Sequence, residues 1–178
     1  QKSGQTARAA SLAAAWLAQS DLHRAVYIAT AQAWDPEMHE RIARHQRDRA
    51  TRVPRMTTAE VPVDLVQAIG RHSRADTLIV VDCLTLWLTA LLMPAVPHPG
   101  PGTGSEYAAD NPPVASDLGT SIGQAVAACA GPLVLISNEI GMGIIPLGRD
   151  VRTFVDTLGT LNQQAAAACE RVTLMCAG

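Results

Sequence analysis

Hydrophobic and polar positions along the chain fall into two alternating periods. Residues 9–18 (AASLAAAWLA) are rich in Ala and Leu and predict a helix. Residues 25–30 (AVYIAT) form a short β-rich run and predict a buried strand. Asp35-Pro36-Glu37 then places an N-cap before proline at the first helical position, and Met38, Ile42 and His45 recur on one face of the helix that follows. Pro54 ends that region. Residues 62–69 predict another helix, with Val63, Leu65, Val66 and Ile69 apolar. Residues 77–81 (TLIVV) are a second continuous apolar run, closed by Asp82, and 84–93 follow as a helix. Residues 94–113 are rich in Pro and Gly and read as a mobile loop. A helix is expected at 116–129, a third apolar strand at 132–137 (PLVLIS), a Gly-containing loop at 138–146, a long helix at 151–169 and a last strand at 171–176 (RVTLMC).

Strands apolar on both faces and alternating with helices predict an α/β fold, a mainly parallel sheet covered by helices on both faces. Such sheets bind ligands beyond the carboxyl ends of their strands. The residues just after Thr30, Val81 and Ser137 are therefore expected to line a site. At 178 residues the chain fits a single domain, 1–178.

Composition narrows the function. Hydrophobic residues make up 48% and charged residues 17%, which excludes a disordered tail. A formal net charge of −2 provides no basic field for a polyanion, and 3% aromatic residues provide few stacking platforms, so nucleic acid is not an expected partner. The four cysteines lie far apart, without a C-x-x-C, and predict reduced, mostly buried thiols rather than a disulfide or zinc framework. No apolar run reaches the roughly 18 residues of a membrane span, and the polar start Gln1-Lys2-Ser3-Gly4 shows no signal peptide. The expected setting is cytoplasmic.

Four groups of residues could carry chemistry. Ser3-Gly4-Gln5-Thr6 runs into a helix and matches the end of the phosphate-loop pattern G-x-x-x-x-G-K-[ST], in which backbone N–H groups hold phosphates and the hydroxyl holds Mg²⁺. Gln5 stands where that pattern has lysine, and the first glycine with its strand would precede residue 1. Asp82 ends an apolar strand, where a carboxylate either holds a Mg²⁺–nucleotide or caps the next helix. His45 lies among arginines (Arg41, Arg44, Arg47, Arg49), either as a nucleophile kept neutral beside cations or as part of a solvated basic face. Ser137-Asn138-Glu139-Ile140-Gly141-Met142-Gly143 places polar groups and glycines directly after a strand, as a site loop or a plain turn. Asn162-Gln163-Gln164 interrupts a long helix, and exposed polar positions are the default for it.

Together these stretches resemble one family over nearly the whole chain. YIATAQAWDPEMHERIARHQRDR (27–49), TAE (58–60), VDCLTLWLTALL (81–92), SNEIGMGIIP (137–146) and LNQQ (161–164) follow, in order, the motifs of the bifunctional adenosylcobinamide kinase/adenosylcobinamide-phosphate guanylyltransferases of cobalamin biosynthesis. The resemblance implies a phosphate-loop NTPase-like (RecA-like) fold, Mg²⁺, GTP or ATP as substrate, and a homotrimer. It also implies two reactions, phosphorylation of adenosylcobinamide and transfer of GMP from GTP to the resulting phosphate through a guanylylated histidine. The motif R-I-x-x-H puts that histidine at His45. Gly4, Gln5, Thr6, Ala29, Thr30, Ala31, Gln46, Arg47, Asp48, Arg49, Glu60 and Asp82 fall on positions the resemblance associates with nucleotide, and Thr6 and Asp82 on those for Mg²⁺. Arg47 and Arg49 are also candidates for stabilising the transferring phosphoryl group. A neutral imidazole is needed for attack, so transfer should weaken below roughly pH 6.5.

The chain departs from the family's pattern at Gln5, at Val155 and Thr160 where the family has arginine, and at Met56 where it tends to have tryptophan. Loss of one preorganised charge near a transferring phosphate costs roughly 10²–10³-fold. The departures bear on the kinase step more than on guanylyl transfer. They leave open an alternative, a catalytically degenerate relative that binds nucleotide or corrinoid without full turnover.

Overall fold

The computed structural model describes residues 4–32, 36–93 and 115–176. The loop expected at 94–113 and the expected N-cap Asp35 lie outside them, as does Ser3. The described elements are α1 (Gln5–Ala18), β1 (Arg24–Ala29), α2 (Pro36–Arg52), β2 (Met56–Glu60), α3 (Leu65–His72), β3 (Thr77–Asp82), α4 (Leu84–Leu92), α5 (Ala115–Ala128), β4 (Leu133–Ile136) and α6 (Arg149–Ala168). The four strands form one parallel sheet in the order β2-β1-β3-β4.

Alternation along the strands sorts their side chains onto two cores. Val26 and Ile28 of β1 with Ile79 and Val81 of β3 pack beneath α3, α4, α5 and α6, against Leu65, Ile69, Leu88, Ile122, Leu158 and Leu161. Ala25, Tyr27, Leu78 and Val80 point the other way and pack against α1. Helix α1 meets the sheet through Ala9, Ala10 and Ala13, side chains small enough to bring its backbone close. On the first face, α5 and α6 approach at Gly119. A Cβ there would overlap the Gln164 side chain, whose buried Oε1 has no hydrogen-bond partner among the described residues.

Three of the expected strands are present, and two places differ from expectation. Met56–Glu60 is a strand that the sequence pattern did not indicate, because it lies at the sheet margin with three of its five side chains exposed. Residues 171–176 do not form a strand. Val172 and Leu174 are largely exposed, and a groove of about 790 Å³ separates 171–175 from residues 131–137 along the outer edge of β4. A strand requires a ladder of backbone partners as well as β-rich composition, and across this groove 171–176 has none. The cysteines also differ, since only Cys83 is buried, Cys129 and Cys169 are half-buried and Cys176 is exposed, all four as free thiols.

Candidate functional site

The parallel register brings the strand ends into one row. Glu60 of β2 lies opposite Ala29 of β1, Ala29 opposite Asp82 of β3, and Asp82 opposite Ile136 of β4. Four segments leave the sheet from this row, and they carry most of the candidate residues. Thr30, fully buried, locks two of the exits together. Its hydroxyl donates to the Cys83 carbonyl at 2.7 Å and accepts the Cys83 N–H at 2.8 Å, while its own N–H donates to the Asp82 carbonyl.

Asp82 is the centre of the row. Its Oδ2 accepts from the Thr6 hydroxyl at 3.0 Å and from the Tyr27 hydroxyl at 2.5 Å. The cap of α4 is Cys83, without a side-chain cap bond, so the carboxylate of Asp82 faces α1 and Tyr27 instead of closing the next helix. Gly4, at φ 91°, starts α1 in the left-handed region that favours glycine, and delivers Thr6 to the carboxylate. Burial, and then the charge and hydrogen bond of Asp82, push the Tyr27 phenol far above its ordinary range, with Arg49 opposing. Burial, and then Asp82, push the Cys83 thiol up to about 11.

Gln5 turns away from this cluster. Its Nε2 donates to the Ser137 carbonyl at 2.8 Å, beyond the end of β4. Ser137 in turn donates to Asn162 Oδ1 at 2.6 Å, and Asn162 Nδ2 donates to the Asn138 carbonyl at 3.1 Å. Asn138 is held from its other side by Thr85, whose hydroxyl accepts both its backbone N–H and its side-chain amide at 3.0 Å. The segment after β4 is therefore a fixed loop tied to α4 and α6, and Asn162, expected as an exposed polar position, is its anchor.

Helix α2 brings the remaining candidates. Met38, Ile42, His45 and Arg49 share its inward face, at helical spacing. His45 is half-buried, whereas Arg47 and Asp48 are exposed. Arg49 is 8% exposed, and its guanidinium lies 3.9 Å from the centroid of the Tyr27 ring. Gln46 reaches the end of β2, where its Nε2 donates to Glu60 at 2.7 Å. Ala31, half-buried, continues from Thr30.

Residues of these types in this order can be compared with known proteins. The whole chain, residues 1–178, matches the family described as cobinamide kinase / cobinamide phosphate guanyltransferase. The chain belongs to that family. It is 39% identical over 152 residues to the bifunctional adenosylcobalamin biosynthesis protein CobP of Pseudomonas aeruginosa, covering 85% of this chain and 78% of the relative. It is 34% identical over 158 residues to the bifunctional adenosylcobalamin biosynthesis protein CobU of Salmonella typhimurium, covering 89% and 84%, and 32% identical to that of Escherichia coli over the same shares. The family is named for two transfers that consume a nucleotide, and its fold is phosphate-loop NTPase-like, in agreement with the parallel sheet and flanking helices described here. No helix among the described residues is long and apolar enough to cross a membrane.

The family's implied Mg²⁺ can be tested against the residues present. No group of three or more His, Cys, Asp or Glu side chains gathers among the described residues, so an all-protein metal cage is not built. Mg²⁺ does not need one. It is commonly held through one or two hard oxygen ligands, with water and substrate phosphates completing the shell. Thr6 Oγ1 and Asp82 Oδ2, already 3.0 Å apart, are such a pair.

Sequence reasoning missed Tyr27 as a contributor and the burial of Arg49. Tyr27 reads as core in a buried strand, although a hydroxyl amid aliphatic residues is itself a signal that a partner is near. Arg49 is a named candidate, but the sequence reads it, like Arg47, as an exposed arginine, whereas it is 8% exposed. Nothing in the sequence separates it from Arg47 except its place on the face of Met38, Ile42 and His45.

Proposed function

We propose that the chain phosphorylates the aminopropanol hydroxyl of adenosylcobinamide and then transfers GMP from GTP to adenosylcobinamide phosphate, with His45 as the covalent carrier. In the second reaction a neutral imidazole nitrogen of His45 attacks the α-phosphorus of GTP. The bond to the bridging oxygen breaks and pyrophosphate leaves. A phosphate oxygen of adenosylcobinamide phosphate then attacks the same phosphorus, forms adenosylcobinamide-GDP and frees the histidine. Splitting the displacement in two is the ordinary benefit of covalent catalysis. The observation that carries this reading is the inward face of α2. It sets His45 one turn from Arg49, and Arg49 is stacked on the tyrosine that is bonded to Asp82.

Thr6 and Asp82 would hold Mg²⁺, which when bound neutralises charge on the phosphates. Gly4 and the start of α1 offer backbone N–H groups to the same phosphates. Gln5, Ala29, Thr30, Ala31, Gln46, Arg47, Asp48, Arg49 and Glu60 complete the proposed nucleotide site around the carboxyl ends of the strands. The enzyme is proposed to be cytoplasmic and homotrimeric. Support for assembly comes from Met142, Ile144, Ile145 and Leu147, each more than three-quarters exposed on one loop, a run that a subunit interface would bury.

The test is incubation with Mg²⁺ and GTP labelled at the α-phosphate. An acid-labile, base-stable label that maps to His45 is expected. A second reading, a degenerate relative that binds without turnover, is favoured by one observation: Gln5 gives its side chain to Ser137 and presents no cation at the lysine position. GTP binding by calorimetry without any label would establish that reading instead.

A further inference from the structure

Tyr27 is 4% exposed in the middle of β1, on the α1 side of the sheet. A phenylalanine would fill the same space, so the hydroxyl needs a separate account. It donates to Asp82 Oδ2, the oxygen that Thr6 also approaches. The ring face carries the Arg49 guanidinium at 3.9 Å. Arg49 is more than nine-tenths buried, and its Nε has no hydrogen-bond partner among the described residues. A buried guanidinium with an unused N–H is costly unless something else holds it in place, and the cation–π contact with Tyr27 does so. One side chain therefore touches both halves of the proposed site.

We propose that Tyr27 is a positioning residue that sets the Asp82 carboxylate through its hydroxyl and the Arg49 guanidinium through its ring, so that the end of β3 and the His45 face of α2 are held by one side chain. The proposal rests on the functional reading above for what each half does. It goes beyond that reading in making the two arms separable. Tyr27→Phe keeps the ring and removes the hydroxyl. Tyr27→Leu removes both. Without the hydroxyl the carboxylate must be ordered when Mg²⁺ arrives, which weakens Mg²⁺-dependent binding. Without the ring, Arg49 loses its seat one turn from His45.

Two measurements decide it. In urea unfolding, Tyr27→Phe should lower the midpoint in the wild-type background and leave it unchanged in the Asp82→Ala background. The same shift in both backgrounds overturns the coupling. In the second measurement, Tyr27→Phe should raise the Mg²⁺ concentration for half-maximal GTP binding roughly tenfold, with the plateau rate of GTP labelling reduced far less. Tyr27→Leu should show the same Mg²⁺ shift and a plateau lowered tenfold or more. Where Tyr27→Leu does not fold, Tyr27→Met, which also removes ring and hydroxyl, reads the ring arm, with the same Mg²⁺ shift and the plateau lowered. Identical Mg²⁺ dependence in wild type and Tyr27→Phe overturns the hydroxyl arm, and an undiminished plateau in Tyr27→Leu or Tyr27→Met overturns the ring arm. A wild-type protein that takes no label sinks the assignment of His45, while the urea cycle still decides the Tyr27–Asp82 coupling on its own.

Discussion

The two halves of the site are built differently. At the ends of β1, β3 and β4, nearly every polar group is fixed: Thr30 clasps Cys83, Asp82 accepts two hydroxyls, and the loop after β4 hangs between Thr85 and Asn162. On α2, seven of the last nine residues are exposed, Arg49 is buried, and His45 is half-buried between solvent and sheet. The difference fits what each half is proposed to handle. Phosphates and a hard cation are best met by groups that need no reordering when charge develops. A histidine that receives a nucleotidyl group and then offers it to a second substrate needs access from solvent as well as a fixed approach. One side chain, Tyr27, lies between the two regimes.

Substitutions should separate them. His45→Ala is expected to abolish guanylyl labelling while leaving circular dichroism and the unfolding midpoint close to wild type, because half-buried His45 is not part of either apolar core. Normal transfer by this variant would remove His45 from the mechanism. Asp82→Asn is expected to cost both, with turnover lowered by roughly 10²–10³-fold, the scale of losing one preorganised charge at a transferring group. Part of its effect should appear in the absence of nucleotide as a lower unfolding midpoint, since the carboxylate anchors Thr6 and Tyr27. If Asp82→Asn lost activity with no change in stability, the contrast between the two halves would fail.

Gln5→Lys sharpens the comparison from the other direction. The substitution replaces an amide bonded to Ser137 with a cation able to reach phosphate, and kinase activity should rise by up to roughly 10²-fold. Guanylyl labelling of His45 should change much less. An equal rise in both activities would mean that one phosphate site serves both steps without distinction. No rise at all would mean that other departures, such as those expected at Val155 and Thr160, limit the kinase step, or that the phosphate loop is not formed.

How much of this was legible in the sequence depends on whether a residue's role could be read from its neighbours in the chain. The runs at 25–30, 77–81 and 132–137 announce buried parallel strands because both faces are apolar. Met56–Glu60 could not be read that way, since a marginal strand is held mainly by its backbone ladder to β1. Residues 171–176 have the composition of a strand, but composition cannot say whether a neighbouring edge is within pairing distance. In the site, Thr6 and Asp82 were legible because motif position and strand end fix them. The roles of Tyr27 and Asn162, and the burial of Arg49 against Tyr27, were not, because each depends on a partner at least 22 positions away in sequence, and no local pattern encodes that distance.

Asn162 gives the smallest and most specific test. Its polar run reads as exposed by default, yet it accepts from Ser137 and donates to the Asn138 carbonyl. Asn162→Ala would remove both bonds, at about 1 kcal/mol each, which for a chain of this size lowers the melting temperature by roughly 4–8 °C. The loop that it anchors also receives Gln5, so the loss should reach the phosphate side through Ser137 and leave the α2 side alone. GTP binding should therefore weaken a few-fold, while the rate of His45 labelling at saturating GTP stays near wild type. That split is the one expected if the fixed half sets how nucleotide is held and the α2 half sets how it reacts. A variant that kept its affinity but labelled slowly would place Asn162, and the loop with it, on the reacting side of the site.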